Sequence, residues 1–192
     1  PVRSLHIEDY APDAIAINDT VYFSASATER KPFHYTTDPF RDNWTAMSDT
    51  LPFAVWDPHF FLDDDGQRYL YWGCSNILPI YGVRLNSKMQ AVTEPEILID
   101  HNPDKYGWEV PGEQNELTSN GWNEGAWMTK YNNRYYLQYA APGTEYRTYA
   151  DGVYTSDSPL GPFEYETYSP FSYKPGGFAG GAGHGSTFQD SY

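Results

Sequence analysis

The sequence predicts an all-β fold assembled from propeller blades, and three observations carry that reading. Aromatic residues make up 18% of the chain, Tyr above all, while long runs of helix-forming Ala, Leu, Glu and Lys are missing. That mix favours pleated, half-buried surfaces. Four stretches resemble one another, and turn dipeptides of the kind that close tight hairpins recur inside the first three. At 192 residues the chain is long enough for one domain with a real core.

Taken in order, the first stretch is "APDAIAINDTVYFSAS" from 11, the second "WDPHFFLDDDGQRYLYWG" from 56, the third "NEGAWMTKYNNRYYLQYA" from 123 and the fourth "GHGSTFQD" from 183. Each of the first three runs from a polar residue into a short apolar strand, a turn and an aromatic-rich strand. The turns are Asn18-Asp19, Asp64-Asp65-Gly66 and Asn132-Asn133, whose residues tolerate positive φ. "HYTTDPFRDNW" from 34 and "VYTSDSPLGPF" from 153 supply a later strand in two units, and "YGVRLNSKMQAV" from 81 supplies one in the second. Three or four antiparallel strands per unit match the blades of a propeller. Residues 100–121, with their Pro, Gly, Asn and Glu, read as a loop between blades.

The innermost strand of each blade lines the central channel, so equivalent positions at its start converge on one mouth. The polar residues leading the four units, Asp13, Asp57, Glu124 and His184, are therefore expected to face one another. A merely solvated strand edge has no reason to recur in register.

A formal charge of −14, from 12 basic and 26 acidic residues, with no basic cluster, excludes nucleic acid as a partner. No apolar run approaches the roughly 18 residues of a membrane span. "PVRSLHIEDY" has no leader-like pattern, and a leader is expected upstream. The single Cys74 has no internal disulfide partner and reads as a small buried hydrophobe. His34 and His59 lack metal-ligand spacing. "DDDG" at 63–66 is explained by hairpin chemistry, and "GGFAGGAGHG" at 176–185 lets backbone pass close to the channel. "NDT" at 18 and "NWT" at 43 are glycosylation acceptors only in a host that glycosylates.

In that order, "WDPHFFLDDDGQRYLYWG", "EGAWMTKYNNRYYLQYA" and "GHGSTFQD" resemble the third, fourth and fifth blades of glycoside hydrolase family 43. "YAPDAIAINDTVYFSAS" is similar to the second blade. The resemblance implies a five-bladed β-propeller, of which residues 1–192 cover about three blades plus part of a fourth as a partial catalytic domain. It implies Glu124, in Glu-Gly, as general acid, and Asp57, in Asp-Pro, as the carboxylate that sets the acid's pKa and orientation. It matches His184 to the channel-centre histidine, where a structural calcium or other ion is expected; no cofactor is expected for catalysis. The family's general base lies near the start of the first blade, and this chain is expected to begin in the second. Asp13, in Tyr-Ala-Pro-Asp, is the alternative base, although lining the pocket or bonding backbone suits it better.

Inverting glycoside hydrolysis needs one protonated carboxyl at the leaving oxygen and one carboxylate activating water on the opposite face. A second negative charge beside Glu124 is expected to raise its pKa and keep it protonated. Trp56, Trp122 and Trp127 are the candidate sugar platforms, with Asp13 as a further substrate contact. Alternation sends Ala126 and Met128 to one face and Trp127 to the other, so Trp127 also reads as core. The expectation is a secreted or periplasmic, inverting α-L-arabinofuranosidase or β-xylosidase acting on plant cell-wall polysaccharide. An endo-arabinanase or galactan-directed relative is the narrower alternative, and a non-catalytic carbohydrate-binding propeller is the alternative from another class.

Overall fold

The computed structural model describes residues 10–190; the stretch 1–9, searched above for a leader, and residues 191–192 lie outside the described residues. Three four-stranded antiparallel sheets follow one another along the chain, each wound in sequence order. The first holds β1 (Asp13–Ile17), β2 (Thr20–Ser24), β3 (Pro32–Thr36) and β4 (Thr45–Thr50). The second holds β5 (His59–Leu62), β6 (Arg68–Trp72), β7 (Ile80–Leu85) and β8 (Glu96–Ile99), and the third β9 (Glu124–Tyr131), β10 (Arg134–Ala141), β11 (Ala150–Ser156) and β12 (Glu164–Tyr165). These are the expected blades, each opened by one of the lead residues or just after it. Residues 183–190 form no strand; they run alongside β9, where Thr187 O accepts from Trp127 Nε1 at 2.8 Å.

The predicted hairpins form as read. Asn18 (φ 54°), Gly66 (φ 83°), Asn132 (φ 49°) and Asn133 (φ 60°) take the left-handed backbone that closes β1–β2, β5–β6 and β9–β10. The DDDG turn does more than turn. Asp63 is buried, and its two carboxyl oxygens receive Lys130 Nζ and the Tyr135 hydroxyl, each at 2.5 Å, tying the second sheet to the third.

Two cores lie between the sheets. Ile17, Phe33, Leu51 and Val55 pack with Leu70, Trp72 and Val83 between the first and second; Tyr69, Tyr71 and Ile80 pack with Met128, Leu137 and Tyr139 between the second and third. Strand β6 serves both, because period-two alternation sends Leu70 and Trp72 to one face and Tyr69 and Tyr71 to the other. That explains its continuous burial and aromatic richness. The 100–121 segment is a loop with one short 3₁₀ turn at Gly107–Glu109, yet it is anchored rather than loose. Trp108 joins the second core, and buried Glu109 accepts from Tyr139 at 2.5 Å and from the Asn102 amide at 2.8 Å. Among the described residues no helix is long and apolar enough to cross a membrane.

Candidate functional site

Backbone pairing at the ends of three strands builds the site. Gly73 N donates to Trp56 O at 2.9 Å, which sets the entry to β5 beside the exit of β6 and so Asp57 near Cys74. Ser75 and Asn123 then exchange backbone hydrogen bonds of 2.9 and 3.3 Å, carrying Cys74 to the start of β9, where Glu124 stands. Tyr149, just before β11, reaches the same carboxyl because β10 pairs Ala140 with Glu124 and Ala141 with Ala150.

Glu124 and Asp57 are each 6% exposed. Ligating atoms of Asp57, Cys74 and Glu124 all lie within 4.8 Å of one another. Glu124 Oε1 accepts from the Tyr149 hydroxyl at 2.5 Å, and Oε2 accepts from Cys74 Sγ at 3.1 Å. Asp57 is held at both oxygens: Ser26 Oγ donates to Oδ1 at 3.2 Å and Gly125 N to Oδ2 at 3.3 Å. Ser26 Oγ also accepts from Asp57 N at 2.9 Å. Asp57 adopts φ 51°, a left-handed conformation costly for a non-glycine residue, so the surrounding bonds hold a strained backbone in place. Gly125 (φ 63°) explains the Glu-Gly pair, since a Cβ there would stand 2.8 Å from His184 Cγ.

Burial pushes the Glu124 carboxyl above its ordinary value, and the Asp57 charge adds to that; Tyr149, Cys74 and His184 pull the other way. The sequence points first to the Asp57 charge as the cause. Desolvation is the larger cause, because a carboxylate removed from water loses its hydration whatever stands beside it. Burial raises Asp57 too, against the opposing pull of His184, the Gly125 amide, Ser26 and Cys74. Burial and the two flanking carboxylates push the Cys74 thiol up as well and keep it protonated.

A cavity of about 430 Å³ opens on Glu124 and Cys74, walled by Trp56, Trp122, Gly143, Thr144 and Glu145. A larger cleft of about 530 Å³ lies between the first and second sheets, among residues such as Tyr22, Tyr35, Asp49 and Lys88, and holds none of the lead residues. Chemistry rather than size singles out the smaller cavity. Trp56 and Trp122 give that cavity two aromatic walls.

Of the residues singled out from sequence, Asp57, Glu124, His184 and Trp56 come together, with His184 Nδ1 3.7 Å from Asp57 Oδ2. Asp13 and Trp127 stay off the cavity wall. Asp13 Oδ2 accepts from Phe60 N at 2.6 Å and faces His59 Nδ1 at 3.2 Å, so it bonds neighbouring backbone, one of its two expected roles. Ala126 and Met128 enter the core as alternation requires, while the Trp127 ring, on the other face, stacks on His59 with centroids 4.1 Å apart. Cys74 is corrected: it is half-buried on the cavity wall and touches the acid. Tyr149 and Ser26 escaped sequence reasoning altogether, since nothing in their local pattern marks a contact made across sheets.

The ion expected near His184, held directly or through water, would draw most of its ligands from water or from outside the described side chains. Among the described residues His184 joins no group of three ligating side chains, whereas calcium takes six to eight oxygens. Asp57, Cys74 and Glu124 do form such a group, but its thiol is protonated and donates to Glu124, which makes the group two carboxyls beside a thiol rather than a cage.

Known proteins share this arrangement of sheets and sequence. A β-D-galactofuranosidase of Aspergillus niger is 31% identical over 142 residues, covering 71% of this chain and 35% of that protein. An arabinoxylan arabinofuranohydrolase of Bacillus subtilis is 33% identical over 166 residues, covering 80% and 30%. The chain thus spans 30–44% of the length of the curated relatives it matches. The crystal structure of an endo-1,4-β-xylanase from Bacteroides thetaiotaomicron superposes with a TM-score of 0.69 at 26% identity, over 94% of this chain and 61% of that one. The sequence profile of glycosyl hydrolases family 43 matches residues 2–192, and with Asp57, Glu124 and His184 meeting at the mouth of three blades, the chain belongs to that family.

Proposed function

We propose that these blades carry the general acid of an inverting glycoside hydrolase that removes α-L-arabinofuranose or β-D-xylose from plant cell-wall polysaccharide. The carrying observation is the buried Glu124 carboxyl, raised above its ordinary value, within 4.8 Å of a second carboxylate at a cavity walled by two tryptophans. In this reading the raised carboxyl hands its proton to the glycosidic oxygen as the bond breaks.

Separation argues against Asp57 as the partner base. An inverting pair stands some 6.5–9.5 Å apart to admit water, and a retaining pair about 5–5.5 Å. Asp57 is nearer than either, both its oxygens are already bonded, and it is absent from the cavity wall, so its role is to position and bias the acid. Asp13 is engaged elsewhere, and the family resemblance puts the base in another blade. No ion takes part in the proposal. The relatives' names, which speak of galactofuranoside and arabinoxylan, support a pentose- or furanose-containing substrate. Such a polymer lies outside the cell, so the activity is expected in the secreted or periplasmic fraction; activity confined to the cytosol would contradict that.

The test is Glu124→Gln in the full-length protein. Cleavage of glycosides with poor leaving groups should fall about 100- to 10,000-fold, and activated aryl arabinofuranosides or xylosides should suffer far less. Equal loss on both substrates would remove the acid role. A full-length protein that binds arabinoxylan but cleaves none of these substrates would be the non-catalytic, carbohydrate-binding propeller.

A further inference from the structure

The two hydrogen bonds to Glu124 reach different oxygens and come from donors of different kinds. Tyr149 is buried, does not line the cavity, and burial together with the Glu124 charge keeps its hydroxyl protonated. Its hydroxyl therefore donates to Oε1, and a carboxyl oxygen that accepts so short a bond is the carbonyl-like one. Oε2 accepts from Cys74, which lines the cavity where Tyr149 does not, and on that ground we take Oε2 as the oxygen on the cavity side. That thiol has two carboxylates within reach, since Asp57 as well as Glu124 lies within 4.8 Å.

The geometry points to Tyr149 and Cys74 as positioning residues that fix the transferable proton of Glu124 on Oε2, the oxygen turned into the cavity. With Glu124 protonated, the S–H turns to Asp57 and the sulfur can accept weakly from Oε2–H. In the reaction the Oε2–H bond breaks, the proton forms the O–H of the departing sugar, and Glu124 is left as a carboxylate. The Cys74 S–H then turns to the new negative oxygen, as drawn by its 3.1 Å contact. The thiol changes direction and no bond of its own is made or broken.

Tyr149 is in turn seated by the glycine-rich segment. A Cβ on Gly183 would stand 2.6 Å from the Tyr149 ring atoms Cδ1 and Cε1, so only glycine lets that backbone lie flat against the ring. Asp151, buried next to β11's start, holds the same segment by accepting from Gly185 N at 3.2 Å. The titratable groups around the acid are thus Asp57, Cys74, Tyr149, His184 and Asp151, with Glu145 on the cavity wall.

This inference rests on the acid reading of Glu124, and the experiment separates the two. Rate against pH is measured for the full-length enzyme and four variants on substrates of graded leaving-group quality. The alkaline limb follows loss of the acid's proton. Tyr149→Phe and Cys74→Ala each remove a donor that favours the charged carboxylate, so the limb should move to higher pH. Cys74→Ser, a stronger donor, should bring it back to or below the wild-type position. Gly183→Ala should reproduce the Tyr149→Phe shift without touching the hydroxyl, with kcat about 10-fold or more lower on poor leaving groups and KM nearly unchanged. Folded variants whose alkaline limbs do not move, or whose losses are equal across leaving groups, would overturn the positioning roles. If Glu124→Gln itself shows no leaving-group dependence, the failure lies with the acid reading instead.

Discussion

Two carboxyls buried side by side carry a cost in stability that is also the source of their chemistry. Burial raises both Glu124 and Asp57, so in the unfolded chain each gives up its proton at lower pH than in the folded one. Their contribution is neutral below the ordinary carboxyl value of about 4.3, and folding stability is lost as pH climbs from there through the raised folded values. Glu124→Gln should therefore leave the melting temperature unchanged in acid and raise it increasingly toward neutral pH, measured by thermal unfolding across a pH series; a gain of equal size at every pH would contradict this. At this scale the sequence was half readable. The recurrence of a polar residue at the head of each repeat disclosed Asp57, Glu124 and His184. Cys74 and Tyr149 were out of reach, because their partner is brought by the Ser75–Asn123 bridge and by the register of β10, neither of which has a local signature.

The hairpins were the most legible elements, since their turn residues answer directly to backbone sterics. Asn133, at φ 60°, shows the cost plainly. Asn133→Ala should destabilise by about 1 kcal/mol, because a left-handed residue with a Cβ and no local hydrogen bond is penalised, while Asn133→Gly should be nearly neutral. Chemical denaturation of the two variants checks this, and equal losses would argue against a backbone origin. The DDDG turn was legible as a turn but not as a link. Burial pushes the Asp63 carboxyl up, yet Lys130, Tyr135 and the Asp64 amide outweigh it and hold it below its usual range. Trp127 marks another limit: period-two alternation gives the side of a strand a residue occupies, but not that a histidine from the neighbouring sheet will cover it.

Across the whole molecule, composition foretold the architecture because the packing is repetitive: sheet on sheet, with aromatic strands between. The third sheet leaves an apolar surface around Tyr131, Tyr136, Val153 and Phe171, and Phe178 and Phe188 are fully or largely exposed. Apolar area of that kind drives association in water. Residues 1–192 produced alone should self-associate and bind a hydrophobic dye, as followed by sedimentation and fluorescence; a dye-silent monomer would show that this face is satisfied within the chain. The loop at 100–121 was readable only as a connection, since the burial of Trp108 and Glu109 depends on Tyr139 and Asn102 being carried to them.

Strand β6 lends its alternate side chains to both interiors, so a displacement of the strand as a whole would be transmitted to two neighbours at once. Anyone reshaping the cavity should treat that strand as the untouchable spine. The diversity should go instead to Trp122, Thr144 and Glu145, rim positions whose alteration leaves the load on the spine unchanged.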